Sequence, residues 1–132
     1  MSFLLDTDTC SASMKGNARV YNRFVQYSGR LHISTVTLGE LYVWARRAHA
    51  SPKRMQSLLK LLQDVQVLPI DETVADKFGE VRAWQLDQGL GSPELDLFNG
   101  AVALVHDLTM VTHNQKDYDD IPGLRRDDWL VP

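Results

Sequence analysis

A chain of 132 residues fits a single domain over 1–132, and at 44% hydrophobic and 23% charged it can bury an ordinary core. Its formal net charge of −3 excludes a global basic field of the kind that draws nucleic acid, leaving only local clusters: Arg46, Arg47, Lys53 and Arg54, then Arg125 and Arg126. One cysteine, Cys10, excludes an internal disulfide; without a secretory leader pattern or a membrane-length apolar run, a cytoplasmic protein is expected.

In chain order, the first signal is Phe3-Leu4-Leu5 followed by Asp6. An unbroken apolar run reads as a strand buried on both faces, as in a parallel sheet between helices. Ligands of such sheets bind beyond the carboxyl ends of the strands, where Asp6 would sit, although an acid there can also be a simple helix cap. A helix is expected over 17–27, with Val20, Phe24 and Tyr27 on one stripe and Gly29 as its stop. Residues 31–36 read as a second strand. Thr37 then caps a helix with Glu40 at capping-box spacing, its core face being Leu38, Leu41, Ala45 and Ala48. Ser51-Pro52 opens a further helix carrying Met55, Leu58, Leu59, Leu62 and Val65.

Residues 67–70 are a short strand candidate, and Asp71 caps a helix to about Gln88, with Val74, Phe78 and Val81 inward. Ser92-Pro93-Glu94 starts a helix to about His106 that is apolar on nearly every side. Residues 108–112 form another buried strand, and Trp129-Leu130-Val131 a short closing edge strand. Strands alternating with helices predict an α/β, three-layer sandwich around a central, mostly parallel sheet.

The acids recur at strand–helix junctions. Asp96 stands in the first turn of the apolar helix, favoured there by the helix dipole but in need of a partner. Gly100, on the same face, signals a close approach. Asn114 and Asp117 follow the last long strand, and Glu40 follows the second, so all can share one rim with Asp6. Each has a plain structural reading as a cap or Asx turn. Together they make an oxygen-rich pocket whose carboxylates repel without a cation, and oxygen donors suit magnesium or manganese rather than zinc. The four histidines have no zinc spacing, and Cys10 has no partner motif.

These blocks resemble the PIN-domain ribonucleases, specifically the VapC-type toxins of prokaryotic toxin–antitoxin pairs. The resemblance spans Leu4-Leu5-Asp6-Thr7-Asp8, the stretch from Ile33 through Thr37 to Glu40-Leu41, the stretch from Asp96 to Leu104, and Met110 to Tyr118 with Ile121-Pro122-Gly123-Leu124 after it. It implies a magnesium-dependent endoribonuclease, with manganese as a substitute, in which Asp6, Glu40 and Asp96 match the main acids. Asn114 or Asp117 would complete the site, and Thr7 or Thr35 would orient ligands. It also implies a homodimer, a VapB-like antitoxin as inhibitor, and tRNA or rRNA as substrate. The chain departs from the pattern at Asp8, commonly Asn, and at Asn99-Gly100, commonly apolar-Ala.

Two other functions are compatible with parts of the sequence. Asp6-Thr7-Asp8-Thr9 fits the opening motif of haloacid-dehalogenase-like phosphatases, with Asp6 as nucleophile and Asp8 as acid, but the Gly-Asp pair of their magnesium motif occurs nowhere. A non-catalytic PIN-like module that binds RNA or protein would not need the intact acids.

Overall fold

The computed structural model describes all 132 residues. Its elements are β1 (Phe3–Leu5), α1 (Thr7–Met14), α2 (Ala18–Gln26), β2 (Leu31–Ser34), α3 (Thr35–Arg46), α4 (Pro52–Leu61), β3 (Gln66–Leu68), α5 (Glu72–Gln88), α6 (Glu94–Val105), β4 (Thr109–Val111), a 3-10 turn (Gln115–Tyr118) and β5 (Arg126–Asp127). The strands form one parallel sheet in the order β3-β2-β1-β4-β5, flanked by the six helices. No helix is long and apolar enough to cross a membrane.

Strand alternation divides the core. Phe3 and Leu5 of β1, Leu31 and Ile33 of β2 and Val111 of β4 face the layer of α1–α4, where they meet Cys10, Val20, Phe24, Leu41 and Leu58. Leu4 and Met110 point the other way, to Val74 and Val81 of α5 and Leu97, Ala101 and Val102 of α6. Leu4, Leu5, Ile33, Leu58, Leu97 and Met110 are fully buried, each stabilising the fold by about 1.5–3 kcal/mol relative to exposure. The chain leaves β1 for β2 on one side, while β4 lies on the other, so β1 is the topological switch point of the sheet.

Local chemistry accounts for most boundaries. Asn17 caps α2 through Val20 N–H, Asp71 caps α5 through Val74 N–H, and Gly89 ends α5 at φ +68°. Ser51 and Pro52 open α4 as expected. Several expectations need correction. The helix α1 was not anticipated, because Thr-Asp-Thr-Cys-Ser-Ala-Ser-Met carries no apolar stripe; Asp6 caps it and Cys10 anchors it. The third helix starts at Thr35 rather than after Thr37, with Ser34 as its cap. Ala48 lies exposed beyond that helix, and Leu59 is exposed while Leu61 is buried. The edge strand is Arg126–Asp127. Trp129 is instead a core anchor, 5.1 Å from Phe3 and stacked on Tyr27 at 5.9 Å.

Candidate active site

The carboxyl ends of β1 and β4 are adjacent, and Asp6 N–H donates to the Val111 carbonyl at 2.9 Å. This seats Asp6 at the rim beside Thr112, only 7% exposed. Its carboxylate accepts three bonds: from Thr7 N–H at 2.8 Å, Thr112 Oγ1 at 2.9 Å and Tyr118 Oη at 2.9 Å. Tyr118 closes the 3-10 turn after β4, and its buried hydroxyl also lies 3.4 Å from Asp96 Oδ1 in the first turn of α6. One phenol therefore bridges the two acids. From α3, Glu40 reaches back to α1, where Thr7 Oγ1 donates to its Oε1 at 2.8 Å.

The electrostatics follow from this crowding. Burial, first, and the Asp8 charge push the Asp6 carboxyl above its ordinary range, against the three hydrogen bonds that favour ionisation. Asp96 is pushed up to about 6, first by burial, then by the charges of Asp6, Asp117 and Glu40. Tyr118 is held protonated by burial and by the same two aspartates, so its single O–H donates to Asp6 at 2.9 Å and faces Asp96 at 3.4 Å.

The charges of Asp6, Glu40 and Asp117 thus all bear on Asp96. Asn114 stands in the same loop, its N–H donating to Thr112 Oγ1 at 3.1 Å, with its side chain exposed. Asp8 turns toward the loop rather than the pocket: its Oδ2 accepts from His113 N–H at 2.9 Å. Thr7 orients an acid, whereas Thr35 accepts from Ile70 N–H and is structural. Asn99 is a hydrogen-bonded core amide. Its Oδ1 accepts from Ser34 Oγ and its Nδ2 donates to Thr37 Oγ1 at 3.3 Å, tying α6 to the start of α3. Gly100 has the neighbour its face required, since an added Cβ would lie 2.7 Å from Ile121 Cδ1. The bridging role of Tyr118 and the clamp from Thr112 are the parts that sequence reasoning missed. A Thr just past a buried strand and a Tyr in the turn that follows carry no periodic signal.

A divalent ion fits the donor set. The groups that bear on Asp96 offer oxygens, four of them carboxylates counting its own, and the charges of the other three add to the burial that raises it. No three His, Cys, Asp or Glu side chains are gathered closely enough to hold an ion by themselves.

Known proteins match the chain in sequence and in fold. The PIN domain family matches residues 3–124. The tRNA(fMet)-specific endonuclease VapC of Shigella flexneri is 30% identical over 130 residues, covering 98% of each chain. The structure superposes on a chain of DNA-bound VapBC from Salmonella typhimurium with a TM-score of 0.91, at 29% identity and 98% coverage of both chains. It matches VapBC-1 from nontypeable Haemophilus influenzae with a TM-score of 0.85, at 25% identity over 99% of this chain and 100% of the other. Fold, full-length match and rim acids together place the chain in the PIN-domain family, as a member of its VapC type.

Proposed function

We propose that this protein is a magnesium-dependent endoribonuclease toxin, hydrolysing RNA phosphodiester bonds and held inactive by a VapB-like antitoxin. The observation that carries this reading is the Tyr118 hydroxyl set between Asp6 and Asp96, with Glu40 and Asp117 charging the same pocket. Asp6 and Asp96 would hold the ion directly, with Glu40, Asn114 and Asp117 beside it. When bound, the ion supplies the positive charge that activates water and offsets charge on the phosphate. Manganese is expected to substitute, and calcium to bind but support cleavage poorly.

The remaining work falls to the chain. Tyr118 and Thr112 fix the orientation of the Asp6 carboxylate, and Tyr118 fixes Asp96 relative to it. Thr7 steadies Glu40, and Glu40 or Asp117 would orient the attacking water or take its proton. Water oxygen bonds to phosphorus, the bond from phosphorus to the 3′-oxygen breaks, and that oxygen leaves as an alkoxide that takes a proton from solvent to become the hydroxyl. The products carry 5′-phosphate and 3′-hydroxyl ends. Arg46, Arg47 and Lys116 are assigned to positioning the RNA backbone only.

The Shigella relative is named for tRNA(fMet), which makes that tRNA the first substrate to offer. The VapBC complexes among the similar structures support an antitoxin partner, whose basic tail would be drawn to the carboxylates; a homodimer is part of the same proposal. Purified wild-type protein should cleave tRNA(fMet) with magnesium, Asp6→Asn should not, and expression of Asp6→Asn should no longer arrest growth. Undiminished cleavage by Asp6→Asn would remove the assignment.

A further inference from the structure

The segment 115–121, which carries Asp117 and Tyr118, is a loop outside the sheet, yet its tyrosine must hold two acids in register. Something must hold the loop. Across from it, in the last turn of α5, Gln85 is completely buried although it is a polar side chain. Its amide N–H groups go to neighbouring segments and its oxygen to an arginine of its own helix. Its Nε2 donates to the Asp120 carbonyl at 2.9 Å and to Ser92 Oγ at 2.9 Å, while its Oε1 accepts from Arg82 Nη1 at 3.1 Å. Arg82 Nη2 continues to the Ser92 carbonyl at 3.1 Å, and Gly91 N–H donates to Asp120 Oδ2 at 3.2 Å.

We propose that Gln85 is a positioning residue for the acidic site, holding the 118–121 segment against α5 and α6 so that the Tyr118 hydroxyl stays between Asp6 and Asp96. The amide joins two segments that each deliver a site group. Ser92 stands two residues before α6, whose first turn bears Asp96, and Asp120 stands two residues after Tyr118. The far side of the loop is fixed by other means: Ile121 packs over Gly100, and Arg126 Nη1 donates to the Gln115 carbonyl at 2.8 Å. Gln85 is the one buried side chain that bonds to both the Asp120 and the Ser92 segments. A buried amide fully satisfied in this way specifies one arrangement, because any slip of the loop leaves polar groups unpaired in the interior. Gln85 touches neither substrate nor the acids; it acts through Tyr118.

This assignment rests on the ribonuclease reading for its kinetic part, but not for its structural part. The test uses the full chain carrying Gln85→Met, which keeps the volume and removes every bond. If Gln85→Met does not fold, Gln85→Glu carries the test: it keeps an acceptor for Arg82 and loses the donor to Asp120. Amide hydrogen exchange, read without any metal, should speed up about tenfold or more over 117–121 while the centres of α3 and α4 move less. On RNA, kcat should fall about 10- to 100-fold with KM nearly unchanged, since a small displacement of site groups costs rate rather than binding. Exchange that rises evenly along the chain, or a folded variant with wild-type kcat, would overturn the proposal. If wild-type protein cleaves no RNA, the ribonuclease reading fails, and the exchange pattern still decides the role of Gln85.

Discussion

Replacing Asp96 with Asn isolates the electrostatic cost of the site. Asp96 is raised from 3.8 to about 6 by burial and by three neighbouring carboxylates. A rise of about 2 units corresponds to about 3 kcal/mol at most, and because the side chain is partly exposed, solvent screening brings the expected figure to about 1 kcal/mol. The sign follows from linkage. The folded state holds this proton more tightly than the unfolded chain, so metal-free stability falls as pH rises from about 4 to about 6 and stays lowered above that. Asn carries no charge and escapes the penalty. Scanning calorimetry of metal-free protein near pH 7.5 should therefore show Asp96→Asn melting about 4 °C above wild type, the shift that about 1 kcal/mol produces in a chain of this size. The gap should shrink to a small fraction by about pH 4. Magnesium should raise the wild-type Tm and leave Asp96→Asn nearly unmoved. A variant less stable than wild type near pH 7.5, or a gap that ignores pH, would refute the reasoning.

Three further outcomes are expected. Tyr118→Phe removes the bridging hydroxyl and one of three bonds to Asp6; it should cost about 1.5–3 kcal/mol in chemical denaturation and lower RNA cleavage more than RNA binding. Gly100→Ala places a methyl against Ile121 Cδ1, setting about 1 kcal/mol of helix propensity against an overpacking cost of about 1–3 kcal/mol. Trimming that contact with Ile121→Val should make the double variant more stable than the two single effects sum to, and strict additivity in a denaturation cycle would contradict the packing described. Cys10 is fully buried and its thiol is pushed far up, first by burial and then by Asp6 and Asp8, so a thiol reagent should label it only on unfolding.

What was legible in the sequence follows a physical line. Elements with strong local chemistry were readable: the Asp71 cap, the Ser51-Pro52 start and the apolar runs of β1 and β4. Elements dictated by tertiary contacts were not. The short helix α1 depends on the Asp6 cap and one buried cysteine, with no amphipathic stripe to announce it. Thr35 and Val36 look like strand because they are β-branched, yet Ser34 turns the chain into helix three residues early. Trp129-Leu130-Val131 has strand composition, but the indole is needed between Phe3 and Tyr27. The acids at the rim could be found because parallel topology forces strand ends to one edge. Tyr118 could not, because its bridge exists only once the 3-10 turn is folded over α6, and neither could Gln85, a polar residue inside a helix that reads as solvated.

The most direct test of the ribonuclease account is the chemistry of the cut ends. Purified protein incubated with tRNA(fMet) in magnesium should give fragments with 5′-phosphate and 3′-hydroxyl termini, and none in EDTA. Fragments ending in 2′,3′-cyclic phosphate, or full cleavage in EDTA, would mean that the ribose hydroxyl rather than water attacks the phosphorus, or that the carboxylates act without an ion, and the mechanism drawn from Asp6, Asp96 and Tyr118 would be wrong.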